Sequence, residues 1–105
     1  MTLCLVVTTL PDRAAADRLA ATLVEERLAA CVQVSGPIAS TYHWHGVVER
    51  AEEWQCQCKT TDARRDAVQA RIRELHPYEV PEIVALPLTS GNAAYLAWVE
   101  ESTSS

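Results

Sequence analysis

Two β-prone runs, Cys31–Trp44 and Val47–Thr60, each about fourteen residues long, are separated only by His45-Gly46. A two-residue connection with glycine second reads as a tight hairpin turn, because glycine accepts the positive φ such turns require. At about 3.3 Å per residue an arm of that length spans roughly 45 Å. A single domain of 105 residues has a radius of gyration of about 13 Å and a body only about 35 Å across. The hairpin is therefore expected to overshoot its own domain, even after discounting the break at Ser35-Gly36-Pro37. A free two-stranded ribbon tipped by Tyr42 and Trp44 is marginal in water. Geometry alone thus predicts an oligomer in which a neighbouring subunit covers the tip.

The flanking elements follow from periodicity. Leu3–Thr9 is a short apolar run closed by Leu10-Pro11-Asp12, a buried strand and a turn. Asp12 is placed to cap a helix of roughly fifteen residues whose apolar stripe is Ala16, Leu19, Ala20, Leu23 and Val24. Pro37 cannot donate a ladder hydrogen bond, so a bulge or an edge position is expected there. In the return arm Trp54, Cys56, Cys58 and Thr60 share one face, and Glu53, Gln55, Gln57 and Lys59 the other. Thr61 or Asp62 caps a second helix that buries Ala67, Val68, Ile72 and Leu75 and turns Arg64, Arg65, Asp66, Arg71 and Arg73 outward. His76-Pro77-Tyr78 stops it. Val80–Pro87 reads as a short strand bordered by prolines. Asn92 caps a last short helix carrying Ala93, Leu96, Ala97 and Val99, and the polar tail Glu100–Ser105 is expected to fray.

The order β-α-β-β-α-β with a C-terminal helix specifies an α+β fold. It is a ferredoxin-like sandwich with a long central hairpin and both main helices on one face of an antiparallel sheet, residues 1–105 forming a single domain. Fourteen acidic against nine basic side chains leave a net charge of −5, which argues against nucleic-acid or anionic-membrane partners. The longest stretch without Asp, Glu, Lys or Arg, Leu28–Val48, contains Gln33, Gly36, Pro37, His43 and His45. It reads as sheet and turn rather than a membrane helix. The N-terminal residues lack the cationic and apolar regions of an export signal, and Cys4, Cys31, Cys56 and Cys58 lack zinc-knuckle or Cys-x-x-Cys spacing. The expected location is cytoplasmic, with reduced cysteines acting as small hydrophobes.

Four segments together resemble the CutA family, the divalent-cation tolerance proteins. They are Leu28-Ala29-Ala30-Cys31-Val32, Tyr42-His43-Trp44-His45-Gly46, Lys59-Thr60-Thr61 and His76-Pro77-Tyr78-Glu79-Val80-Pro81-Glu82. The resemblance covers nearly the whole chain. It implies a ferredoxin-like homotrimer, similar in architecture to nitrogen-regulatory signalling trimers, with a role in tolerance of divalent metals, notably copper. The copper ligands attributed to some members, one Cys and two adjacent His, fall on Thr8, Leu75 and His76 here. Only His76 keeps a ligand type, and tight transition-metal sites need three or four converging ligands.

Several residues are candidates for chemistry. His43 and His45 are two apart and, in an extended strand, would share a face as half of a metal site; the alternative is two polar side chains at an exposed tip. Cys56 and Cys58 also share a face, but it is the core side, where burial makes thiols inert. His76–Glu82 gathers an imidazole, a phenol and two carboxylates at a helix–strand junction. It is either a functional loop or a turn fixed by Pro77 and Pro81 with Tyr78 at a subunit contact. Tyr42, Trp44, Lys59, Tyr78 and Glu82 are the candidates for lining an inter-subunit cleft. There is no phosphate loop or nucleophile elbow, and no catalytic set is predicted. With the role and trimer that the resemblance implies, the expectation is a trimer in metal tolerance with no required cofactor. Any direct binding of a divalent cation, copper or zinc, would be weak and through His76, His43 or His45. The other reading is a signalling-type trimer that binds a small metabolite or an unspecified partner protein in its clefts.

Overall fold

The computed structural model describes residues 2–104, which form four strands and three helices. β1 (Leu3–Leu10) is followed by α1 (Arg13–Glu25), β2 (Cys31–Trp44), β3 (Val47–Thr61), α2 (Asp62–Leu75), β4 (Ile83–Leu88) and α3 (Ala93–Thr103). The strands make one sheet in the order β2-β3-β1-β4, with every neighbouring pair antiparallel. This is the α+β arrangement expected from the element order.

Alternation along β1 and β3 sorts the two faces. Cys4, Val6, Thr8 and Leu10 stand opposite Thr60, Cys58, Cys56 and Trp54 in register, so the predicted inner face of β3 is the one that meets the helices. There Val6, Leu10, Cys56 and Cys58 form a single core with Ala16, Leu19 and Leu23 of α1 and Val68 and Ile72 of α2. A smaller cluster of Leu3, Ala30 and Val99, joined by Leu88 and Leu96, seats α3 against the other face. Asp12 caps α1, its Oδ1 accepting from the Ala15 amide at 2.8 Å, and Asn92 caps α3 by accepting from Ala94 at 3.1 Å.

Some expectations shift. Val24 and Leu75 are 42 % and 40 % exposed and Ala67 is exposed, because α1 and α2 bury narrower stripes than their apolar content suggests. In α2 only Val68 and Ile72 are buried, one helical turn apart, and Ala67 and Leu75 are rotated away from them. β4 begins at Ile83 rather than Val80, since Val80-Pro81-Glu82 remains in the loop. The tail does not fray at Glu100: α3 continues to Thr103, which is buried and donates its hydroxyl to the carbonyls of Val99 and Glu100. Ser105, the last residue of that expected tail, lies outside the described residues.

The hairpin is as long as its sequence suggests and gives the molecule a 44 Å long axis against 25 and 22 Å for the others. His45 and Gly46 form its turn with φ of 50° and 79°, the doubly positive conformation of a two-residue hairpin. β2 is an edge strand, and its register against β3 slips by one residue between Ser35 and Ile38. Gly36 occupies this bulge because Trp54 lies against its backbone: a Cβ there would sit 2.6 Å from Trp54 Cδ1. Gly36→Ala should therefore lower stability by about 1–3 kcal/mol, the range for an overpacked site, read as a lower urea midpoint at unchanged slope. An unchanged midpoint would mean that Trp54 moves aside without cost.

Candidate functional site

Three elements converge where the hairpin leaves the sheet: the end of β1, the overhanging part of β2 and β3, and the loop between α2 and β4. Pro77 and Pro81 stiffen that loop, and two hydrogen-bonded side chains hold it in place. His76 half-buries its ring and directs Nε2 to the Thr9 carbonyl at 2.8 Å, while Nδ1 accepts the Tyr78 amide at 3.1 Å. These partners assign the proton to Nε2 and make the ring neutral. Tyr78 stacks at a tilt on His76, ring centres 4.9 Å apart, and donates its hydroxyl to Glu53 Oε2 at 2.8 Å.

The electrostatics follow from burial. Desolvation holds the His76 pKa below the ordinary imidazole value, opposed by the Thr9 carbonyl and the Glu53 carboxylate. Desolvation, the hydrogen bond to Glu53 and the charge of Glu53 push the Tyr78 phenol well above its usual range. Tyr78 thus stays a neutral donor. Because the folded His76 pKa is depressed, its contribution to stability is complete above the unfolded value of about 6.5 and is lost as pH falls through the folded value. Urea midpoints between about pH 7.5 and pH 5 should fall more steeply in the parent than in His76→Gln. Parallel profiles would show that the ring is not desolvated.

The loop and the hairpin enclose an open cleft of about 830 Å³. Tyr42, Trp44, Tyr78 and Glu82, four of the five residues offered for an inter-subunit cleft, line this cleft of the single chain together with Thr9, Glu49, Glu53 and Glu79. Lys59 does not. It sits six residues from Glu53 along β3, about 20 Å away at the strand repeat, bonded to Gln33 Oε1 at 2.9 Å with its Nζ 5.4 Å from the Tyr95 ring centre. Glu53, assigned by alternation to the outer face, is only 8 % exposed. No local signal marks it, because its partner Tyr78 is 25 residues away in sequence.

The metal candidates are dispersed. His45 takes φ of 50° in the turn, so the alternation that would put it on the face of His43 ends at Trp44. Burial raises the Cys56 thiol to about 11 and the Cys58 thiol further, which keeps both protonated. The copper set implied by the resemblance does not fit copper in this chain. The Thr8 hydroxyl is fully buried on the apolar core face without a hydrogen-bond partner, Leu75 has no donor atom, and both ring nitrogens of His76 are engaged. Among the described residues no three His, Cys, Asp or Glu side chains are grouped to hold a metal ion. No described helix is long and apolar enough to cross a membrane.

Comparison with known proteins agrees in sequence and in shape. The divalent-cation tolerance protein CutA of Thermus thermophilus is 45 % identical over 98 residues, covering 93 % of this chain and 95 % of that one. The chloroplastic protein CutA 1 of Oryza sativa is 40 % identical over 93 % of this chain, which spans 55 % of the rice protein. Among solved structures, CutA from Xylella fastidiosa superposes with a TM-score of 0.95 at 36 % identity, covering 97 % of this chain and 98 % of that one. CutA1 from Oryza sativa gives 0.96 at 38 % identity, over 99 % and 95 %. Residues 4–102 match the family described as CutA1 divalent ion tolerance protein. With this fold and these relatives, the chain belongs to the CutA1 divalent ion tolerance family.

Proposed function

We propose that this chain serves divalent-cation tolerance, copper included, as a cytoplasmic homotrimer that binds a small ligand in the cleft between hairpin and loop. In this reading it has no resident metal centre and turns over no substrate. The observation that carries it is the convergence of Tyr42, Trp44, Tyr78 and Glu82 around one cavity. Among the described residues no three His, Cys, Asp or Glu side chains are grouped so that they could hold one metal ion. Cavities of this size with aromatic walls and a few placed polar groups are the usual form of small-molecule sites. The oligomer is supported by the overhanging tip, where Tyr42, Trp44, Val47 and Val48 leave 38 % to 60 % of their surface open in the single chain. The four cysteines are free, which suits a reducing compartment.

Calorimetric titration of chelator-treated protein with Cu(II) and Zn(II) tests this directly. The expected result is binding no tighter than about millimolar, near −4 kcal/mol, through exposed imidazoles such as His43 and His45. Stoichiometric micromolar binding lost on His76→Ala would overturn it in favour of a metal site. Such a site would have to detach His76 from Thr9 or Tyr78.

A further inference from the structure

We propose that the loop from Pro77 to Glu82 is a pH-operated latch, fastened while the His76 ring is neutral and released when that ring takes a proton at Nδ1. The inference goes beyond the cleft reading and needs no ligand. His76 Nδ1 accepts the Tyr78 amide at 3.1 Å, and Nε2 faces the Thr9 carbonyl at 2.8 Å. A carbonyl only accepts and an amide N–H only donates, so these partners require the proton on Nε2 and a lone pair on Nδ1. A second proton leaves the Thr9 bond intact. It sets two donors, Nδ1–H and the Tyr78 N–H, against each other across the other bond.

The ring then stays on β1 while the loop beyond it lets go. Tyr78 is held at both ends, by its amide on His76 and by its hydroxyl on Glu53 at 2.8 Å. Losing the first bond leaves the second alone. Glu79 and Val80, which follow, are exposed and belong to no helix or strand. Tyr78, Glu79, Val80 and Pro81 line the cleft, so release reshapes one of its walls. Leu75 offers no donor atom and the Thr8 hydroxyl is enclosed in the core, so the ring belongs to no metal site among the described residues.

Charged and titratable groups face this junction from several elements. Glu53 of β3 acts on the ring itself, and Tyr42 of β2 and Asp12 ahead of α1 act on Tyr78. Glu79 and Glu82 stand on the loop, and Glu49 of β3 lines the same cleft. Arg18 of α1 lines the groove it shares with Leu75 and Pro77, and Arg73 and Glu74 near the end of α2 are exposed. Burial lowers the pKa of the ring against the pull of the Thr9 carbonyl and Glu53, so the closed loop resists the proton. An open loop returns the ring to water, where the value is about 6.5. As pH falls from there toward the lower closed-loop value, each pH unit favours the open loop about tenfold. Above that window the latch is shut.

The test is hydrogen exchange of the full-length protein between about pH 7.5 and pH 5, corrected for the pH dependence of exchange itself. Protection of the Tyr78 amide should fall about threefold or more over that range, while the amides of β1 and β3 keep theirs. In His76→Asn the side-chain oxygen takes the same amide as an Asx turn and does not titrate in this range, so the step should vanish. Equal protection of the Tyr78 amide at both ends of the range in the parent would overturn the latch. So would the same fall in His76→Asn, since another group would then drive it. Nitrogen spectra of the parent ring decide the matter without a variant. Loss of Tyr78 protection at the midpoint of Nδ1 protonation supports the latch, and a protonated ring beside a still-protected Tyr78 amide overturns it. Neither result touches the ligand reading of the cleft, which the metal titration tests separately.

Discussion

Ile72→Ala should destabilise the protein by about 2–5 kcal/mol, the range for emptying a fully buried aliphatic site. Ile72 is completely buried, and it and Val68 are the two buried residues of a fourteen-residue helix. The rest of α2 is largely charged or exposed. Its other link to α1 is the Arg71 guanidinium, paired with both carboxylate oxygens of Glu26 at 3.0 and 2.8 Å. That pair lies in solvent, where such contacts are worth little. The loss should appear as a lower urea midpoint, and in hydrogen exchange the α2 amides should lose protection before those of β1 and β3. Ile72→Val, which removes one methylene, should cost about 0.5–1.5 kcal/mol. A cost below about 1 kcal/mol for alanine would mean that the site collapses around the gap.

Trp44→Ala should act on assembly rather than on the fold of the chain. Trp44 is 38 % exposed near the tip and packs edge-on against His45, ring centres 4.7 Å apart, outside both apolar clusters of the body. If a neighbouring subunit covers the tip, truncation should weaken each subunit contact by about 3–5 kcal/mol, by analogy with large core truncations. That is more than a hundredfold in the association constant. Sedimentation on dilution should show smaller species while circular dichroism keeps the parent's profile. An assembly that survives dilution unchanged would remove Trp44 from the subunit contact.

The copper set illustrates how position changes chemistry. Thr8 stands in the row of inward side chains between Val6 and Leu10, with Cys56 as its partner across the ladder. His76 lies on the loop that leaves α2, its ring committed to the backbone of Thr9 and Tyr78. The imidazole that the sequence offered as a ligand thus works as a neutral brace for the cleft loop.

Much of the fold was legible from short-range rules. The period-2 pattern of β3 predicted its inner face, His45-Gly46 predicted the turn, Pro37 predicted a bulge or an edge position and the strand shows both, and Asp12 and Asn92 predicted helix caps. Each depends on a few consecutive residues, where steric and hydrogen-bonding preferences act directly. Buried stripes were less legible. Ala67 and Leu75 are apolar, but whether they are covered depends on how α2 sits on the sheet. Of the residues the sequence offered for an inter-subunit cleft, Tyr42, Trp44, Tyr78 and Glu82 lie along one cavity of the single chain, and the pairing of Tyr78 with Glu53 was not legible. Lys59 was grouped with them by residue type, yet β3 carries it to the Tyr95 end of the sheet.

The sequence by itself determined the order of elements, the hairpin with its overhang, and the family. These rest on local conformational preferences and on motifs that survive in one dimension. Only the tertiary structure decided that Glu53 is buried under Tyr78, that both nitrogens of His76 are occupied, and that four carboxylates face one cleft without a cation. The Glu53–Tyr78 and His76–Thr9 contacts behind those outcomes span 25 and 67 positions of sequence. Burial and counter-charge are properties of the space the folded chain encloses, and no local pattern encodes them.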